Sequence, residues 1–158
     1  MRIVLASLVF ILAGCSSTTQ LSGSTPAAPN ANTIANTMDI IKRAAESAPQ
    51  GVPGEYLLTI QATGTKDAKV YLNTELDYRD QRNVTVAIHP AVVAQLQAKY
   101  GVGPEAFFTG KKITVKGSAQ RVRVDFISAN RRQSGKYYYQ THIPVLNIAQ
   151  IEIVNEQA

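Results

Sequence analysis

Apolar positions fall into three regimes along the chain. Residues 3–13 form an almost unbroken apolar run, and Ile34, Met38, Ile41 and Ala45 recur at helical spacing. From Glu55 onward, apolar and polar residues alternate as they do in strands with one buried face. The helical stretch predicts an amphipathic helix over 33–48, capped by Asn32 or Thr33 and packing on the domain or on a partner. Pro49, Gly51, Pro53 and Gly54 break the chain behind it. A first strand is predicted at 56–61, ended by Gly64 and the polar run Thr65-Lys66-Asp67. A second covers 69–73 with Val70 and Leu72 buried, and a third covers 84–88, stopped by Pro90; a charged connection, 74–82, joins these two. A short helix over 91–100 then turns Val92, Val93, Leu96 and Tyr100 to one side and is closed by Gly101, with a buried Phe107-Phe108 pair beyond it.

The longest strand, 113–127, switches apolar parity across Gly117-Ser118, from Ile113 and Val115 to Val122, Val124 and Phe126. That switch predicts a bulge or a tight bend at the glycine. A basic loop, 128–136, leads into strands at 136–145 and 148–154. Alternation in the former sends Tyr137, Tyr139 and Thr141 toward the core with Ile143 and Val145. It sends Tyr138, Gln140 and His142 outward, to meet Arg121 and Arg123 if the two long strands pair.

Three strands, a helix and two more strands with a glycine kink are the order of a mainly β, five-stranded Greek-key barrel. A short helix lies between strands 3 and 4, and the amphipathic helix precedes the whole. The stretches Val70-Tyr71-Leu72-Asn73, Val84 to Ile88, Tyr100-Gly101, Gly110-Lys111-Lys112-Ile113-Thr114-Val115-Lys116-Gly117 and Gln150-Ile151-Glu152-Ile153 carry a family pattern. It resembles bacterial OB-fold domains of the nucleic-acid-binding type, over residues 55–154, and implies a domain spanning 54–156. Those motifs are mostly structural, so the resemblance speaks to fold more than to purpose.

The N-terminal run is too short to cross a bilayer and has the length of a signal-peptide core. Arg2 precedes it, and it ends in Leu12-Ala13-Gly14-Cys15 followed by Ser16-Ser17. This resembles the lipobox of bacterial lipoproteins, which implies cleavage of a signal peptide, 1–14, thioether lipidation of Cys15 and fatty acylation of the new terminus. Ser16 after the cysteine implies, by the same resemblance, sorting to the outer membrane facing the periplasm. Cys15 is the single cysteine of the chain. A lone free thiol is a liability in an oxidising compartment, and lipidation removes it. Two or three acyl chains anchor stably where one is marginal. An ordinary secreted protein with a cysteine at this place is the alternative. Residues 15–32, rich in Ser, Thr, Pro, Ala and Asn, read as a flexible lipidated tether.

The formal charge of +5 becomes +4 once Arg2 leaves with the signal, which permits anionic partners without demanding them. No second cysteine exists to form a disulfide, and two separated histidines argue against a structural zinc site. No metal and no cofactor is expected.

OB barrels bind along the face of strands 2 and 3, flanked by loops. Carried onto this sequence, the ligand face holds Lys69, Tyr71, Asn73, Thr85 and His89, with Arg131, Arg132 and Lys136 supplied by the later loop. Single strands bind where cations track phosphates and rings stack on bases, although this face has one aromatic and its charges equally suit edge protection. Arg121, Arg123, Tyr138, Gln140 and His142 form either a cross-strand ladder or a protein-contact patch. Glu75, Asp77 and Asp80 invite comparison with OB-fold nucleases, but Arg79 and Arg82 among them point to surface ion pairs, and no nucleophile motif or catalytic residue emerges. Asn83-Val84-Thr85 is a glycosylation triplet, set aside because it sits in a strand of a bacterial-type lipoprotein. The expectation is a membrane-anchored envelope lipoprotein carrying a non-catalytic OB-type binding module for single-stranded nucleic acid or another polyanion. A structural lipoprotein binding an envelope protein partner is the alternative, and a metal-dependent nuclease a third reading.

Overall fold

The computed structural model describes residues 33–127 and 133–154; Cys15, the tether, Arg131 and Arg132 lie outside the described residues. The elements are β1 (Thr33–Ile34), α1 (Thr37–Glu46), β2 (Val52–Thr59), β3 (Ala62–Lys66), β4 (Lys69–Asn73), β5 (Val84–Ile88), α2 (Pro90–Tyr100), α3 (Pro104–Phe108), β6 (Lys112–Ile127), β7 (Gln133–Val145), a 3-10 turn (Ile148–Gln150) and β8 (Ile151–Ile153). The protein is mainly β.

The strands form one curled sheet in the order β1-β2-β6-β7-β5-β4-β3, with β8 also on β6. β5 runs parallel to β7, and β1 parallel to β2; the other pairs are antiparallel. β2 and β3 stand far apart in that order, yet only Ile60 and Gln61 separate them in the chain. The sheet therefore has to curl back on itself. The corner shows how: Ile60 N–H donates to Lys111 O at 2.9 Å, Gly110 N–H donates to Ile60 O at 2.8 Å, and Gln61 N–H donates to Asn73 O at 2.8 Å. One residue pairs toward β6 and the next toward β4, so no buried backbone group is orphaned at the bend.

Eight strands stand where five were expected. The expected first strand is two, β2 and β3, divided at that corner, with Gly64 inside β3 rather than ending it. Lys66 and Lys69 pair across a two-residue turn in which Asp67 and Ala68 take φ of 52° and 59°, the twist that suits a tight hairpin. β1 was not expected, while β8 is the end of the closing strand predicted at 148–154, whose first residues form the 3-10 turn and which the five-strand count had left out.

Inward positions alternate as strands require: Tyr56 and Leu58, Val70 and Leu72, Val84, Val86 and Ile88, Ile113 and Val115, Ile143 and Val145 are all buried. Val92, Leu96 and Phe108 from α2 and α3 join this core where β5 ends. His89 and Pro90 start α2, with His89 Nδ1 accepting from Ala91 N–H at 3.3 Å, and Gly101 ends it at φ +76°. The opposite end is filled by Ile40 and Ala44 of α1, whose N-terminus is capped by Asn36 Oδ1 accepting from Met38 N–H at 2.9 Å. This helix is shorter than the expected 33–48, because Thr33 and Ile34 pair with β2 instead. Its buried pair is Ile40 and Ala44, while Met38, expected on the packed face, is 52% exposed.

The parity switch in the longest strand has another cause than the one expected. β6 is continuous from Lys112 to Ile127, and its register against β2 runs unshifted through Gly117; the register shift against β7 lies between Asp125 and Ile127. Gly117 answers a close approach, since a Cβ there would sit 2.9 Å from Ile143 Cγ2. The apolar residues change face because the strand leaves the half-barrel that the curled sheet forms, called the barrel below. Beyond Ala119, β6 loses β2 as a neighbour, and beyond Thr141 toward its N-terminus, β7 loses β5. The two continue together, Gln120↔His142 to Ile127↔Gln133, as a two-stranded arm.

Candidate functional site

The outer face of the barrel is where β4 and β5 place Tyr71, Asn73 and Thr85. Residues 74–83, which connect these strands, fold over part of it. Asn83 is the hub: its amide donates to Asn73 Oδ1 at 3.1 Å, to Thr85 Oγ1 at 2.9 Å and to Tyr78 O at 3.3 Å. Its carbonyl accepts from Glu75 N–H at 3.2 Å and from the Thr74 hydroxyl at 3.4 Å. Thr85 Oγ1 also donates to Asn73 Oδ1 at 2.9 Å. Asn73 and Thr85 are therefore buried and mutually satisfied, not presented to a ligand. The triplet spacing of Asn83 and Thr85 put both side chains on one side of the strand, and the structure uses that for an internal bond.

The other expected ligand residues do not converge. Lys69 and His89 are exposed, and Tyr71 is half-buried with its ring 6.2 Å, edge-on, from that of His142. Lys136 is exposed on the arm. Val70, Ile88 and Val145 are level across the sheet, and Lys136 lies nine residues before Val145. At strand rise this separates it from the level of Lys69 by about 30 Å.

The arm brings together a different set. Arg121, Arg123 and Asp125 stand opposite Thr141, Tyr139 and Tyr137 and share their face. The Arg121 guanidinium lies 3.7 Å above the Tyr139 ring, and that of Arg123 4.1 Å above the Tyr137 ring. Arg123 is also paired with Asp125 at 2.8 Å. Thus Tyr137 and Tyr139, expected in the core, are 48% and 43% exposed, and they meet the arginines instead of Tyr138, Gln140 and His142. The parity was read correctly, but the inner face of the barrel becomes an open face once the strands pass its end. On the other face, Tyr138 packs against Phe126 at 5.2 Å between centroids, and Gln140 binds Tyr78 O at 3.0 Å and His142 Nε2 at 2.8 Å. Burial pushes the His142 imidazole down to about 4 and raises the Tyr138 phenol.

Between the arm, α1 and the 74–83 loop lies a cleft of about 670 Å³. Met38, Ile41 and Ala45 form one wall, Arg79, Asp80, Gln81 and Asn83 a second, and Arg121, Phe126 and residues 137–141 the third. Exposed large apolar side chains gather around this end of the molecule: Met38, Phe126, Tyr137 and Tyr139 at the cleft, with Leu76 and Tyr78 on the adjoining loop. None of these was singled out as a contact residue from sequence; a cluster of this kind exists only once the strands outrun the barrel.

The loop's charges are used internally. Arg79 binds Asp77 at 3.1 Å, and Arg82 binds Asp80 at 2.8 Å and Glu75 at 4.0 Å. The hydrogen bonds from Arg82 hold the Asp80 carboxyl down at about 2, and those from Arg79 lower Asp77. Among the described residues, no group of three His, Cys, Asp or Glu side chains could hold a metal ion. Among the described residues of loop and arm, five cations (Arg79, Arg82, Arg121, Arg123, Lys136) stand with four carboxylates (Glu75, Asp77, Asp80, Asp125).

No protein-family model matches this chain, and no curated protein is similar to it in sequence. Among solved structures, a protein described as an aspartyl-tRNA synthetase from Leishmania major Friedlin is similar at 14% identity and a TM-score of 0.44. The match covers 87% of this chain and 23% of that one, so the chain spans under a quarter of that protein's length, and a likeness at this level carries no argument about what either does.

Proposed function

We propose that this chain is a membrane-anchored envelope lipoprotein whose OB-type barrel is a non-catalytic module for binding a protein partner, with the arm cleft as its contact surface. The observation that carries the reading is the gathering of exposed aromatic and aliphatic side chains around a cleft whose described arginines are paired with carboxylates or stacked on tyrosine rings. A polyanion is held by unmatched cations tracking its backbone; here carboxylates take up Arg79, Arg82 and Arg123. Tyr and Arg around an apolar centre are the composition of protein interfaces. The OB-type reading is supported by the order of strands when the bent β2–β3 is counted once, with α2 between the third and fourth. Anchoring through Cys15, in the outer membrane facing the periplasm, is supported by the lipobox and Ser16.

Site-specific photocrosslinking tests it. A benzophenone amino acid at Tyr139, introduced into the full chain expressed in a Gram-negative host, should yield one discrete protein adduct, identified by mass spectrometry. The same group at Gln97, on α2, should yield none. Equal labelling at both positions would remove the cleft from consideration. Micromolar, salt-sensitive binding of labelled single-stranded DNA by the purified mature protein would put the polyanion reading in its place.

A further inference from the structure

Five consecutive residues, Tyr137 to Thr141, line the arm cleft. Successive side chains of a strand point to opposite faces, so a cleft that touches all five runs along the edge of β7 and not over one of its faces. That edge is open. β5 accompanies β7 from Val145 back to Thr141, where Val84 is its last partner, and the chain before Val84 folds over the outer face of the barrel. The 74–83 loop reaches β7 through a side chain, Gln140 Nε2 donating to Tyr78 O at 3.0 Å, and, among the described residues, by no backbone hydrogen bond.

The ladder fixes which backbone groups face the cleft. His89 N–H donates to Val145 O at 3.0 Å, so Val145, Ile143 and Thr141 turn their N–H and C=O groups toward β5, and the alternate residues His142, Gln140 and Tyr138 turn theirs toward β6. The register against β6 is unshifted down to Tyr137. Tyr139 and Tyr137 therefore direct their N–H and C=O groups at the cleft, past the point where β5 stops. An unpaired edge is a template for a further strand.

The walls define what that strand carries. Its residues level with Tyr139 and Tyr137 turn to the same side as those rings, the side on which α1 fills the barrel end with Ile40 and Ala44. There α1 presents Met38, Ile41 and Ala45 to the cleft, spaced as one helix face, and aliphatic side chains suit it. Arg79, on the loop wall, is taken by Asp77 at 3.1 Å. Arg121 lies 3.7 Å from the Tyr139 ring and, among the described residues, has no carboxylate partner. An acid on the same side of the added strand supplies the missing charge.

We propose that the cleft takes its partner by strand addition: an extended segment pairs with the β7 edge at Tyr137 and Tyr139, aliphatic side chains toward α1 and an acid on Arg121. The proposal rests on the reading of the cleft as a protein-contact surface, and gives that contact its backbone geometry and the chemistry of the segment bound.

The probe is the peptide Thr-Leu-Thr-Asp-Thr-Ile, acetylated and amidated at its ends, titrated into the purified full chain. It should bind at millimolar concentration or below and slow hydrogen exchange at the amides of Tyr137 and Tyr139, leaving Tyr138 unchanged. Two further peptides carry N-methyl groups, one on the three threonines and the other on the remaining residues. A strand edge is read from one side, so one of these should lose at least tenfold in affinity and the other much less. Arg121→Gln, with circular dichroism as the check on its fold, should weaken the parent peptide at least threefold and leave a version with asparagine for the acid unchanged. Absence of binding at millimolar concentration, equal losses from the two methylation patterns, or protection at Tyr138 in place of Tyr139 overturns strand addition. If the benzophenone at Tyr139 still yields one adduct, the contact surface survives that failure; without the adduct, the contact reading itself falls.

Discussion

The same two strands build two different surfaces. In their barrel half, Ile113 and Val115 of β6 and Ile143 and Val145 of β7 point inward and are fully buried. In their arm half, the same parity carries Arg121 and Arg123, Tyr139 and Tyr137, and these are exposed. Backbone pairing continues across the boundary. What stops is the opposing wall: β5 has no residue level with Tyr139, and β2 none beyond Ala119. Burial is a property of what lies across from a face, and a strand does not carry it with it. The cation–ring stacks show how the open half manages its freed face, since each tyrosine is covered by a guanidinium of the neighbouring strand instead of by a core.

The largest expected difference between the halves is in stability. Ile143→Ala removes a fully buried side chain against Gly117 and should cost about 3–4 kcal/mol in urea denaturation. A loss below about 1 kcal/mol would mean that this stretch of the barrel is as loosely held as the arm. Asn83→Ala should come next, at about 2 kcal/mol, because Glu75 N–H and the Thr74 hydroxyl lose their acceptor in a part-buried network. Amide exchange at Glu75 should rise with it; unchanged protection there would show that the loop is pinned by other bonds.

The boundary itself is sensitive to pH. His142 is neutral in the fold with its pKa pushed down to about 4, whereas an unfolded imidazole titrates near 6.5. Below 6.5 the unfolded chain takes up the proton first, so this contribution is present at neutral pH and is lost as pH falls from 6.5 toward 4. Wild type should lose about 1–2 kcal/mol more than His142→Asn between pH 7 and pH 5; parallel pH profiles would show that the ring is solvated. The smallest effect belongs to the arm, where Tyr137→Ala should cost less than about 1 kcal/mol, the scale of an exposed cation–ring contact. A loss as large as that of Ile143→Ala would make the arm part of the core.

By itself, the sequence determined the strands β4 and β5, the helix α2 between Pro90 and Gly101, and the alternation along β4 and β7. These are local matters: alternation, capping atoms and left-handed glycine act within a few residues. Tertiary structure alone decided which face at a given parity would be covered. Asn73 and Thr85 kept their outward parity and were buried because the 74–83 loop closes over them through Asn83. Tyr137 and Tyr139 kept their inward parity and were exposed because β6 and β7 outrun their neighbours. Likewise, α1 turned Ile40 and Ala44 to the barrel, leaving Met38 to the cleft. Each outcome depends on how far a distant segment extends, and alternation along one strand contains no information about the length of another.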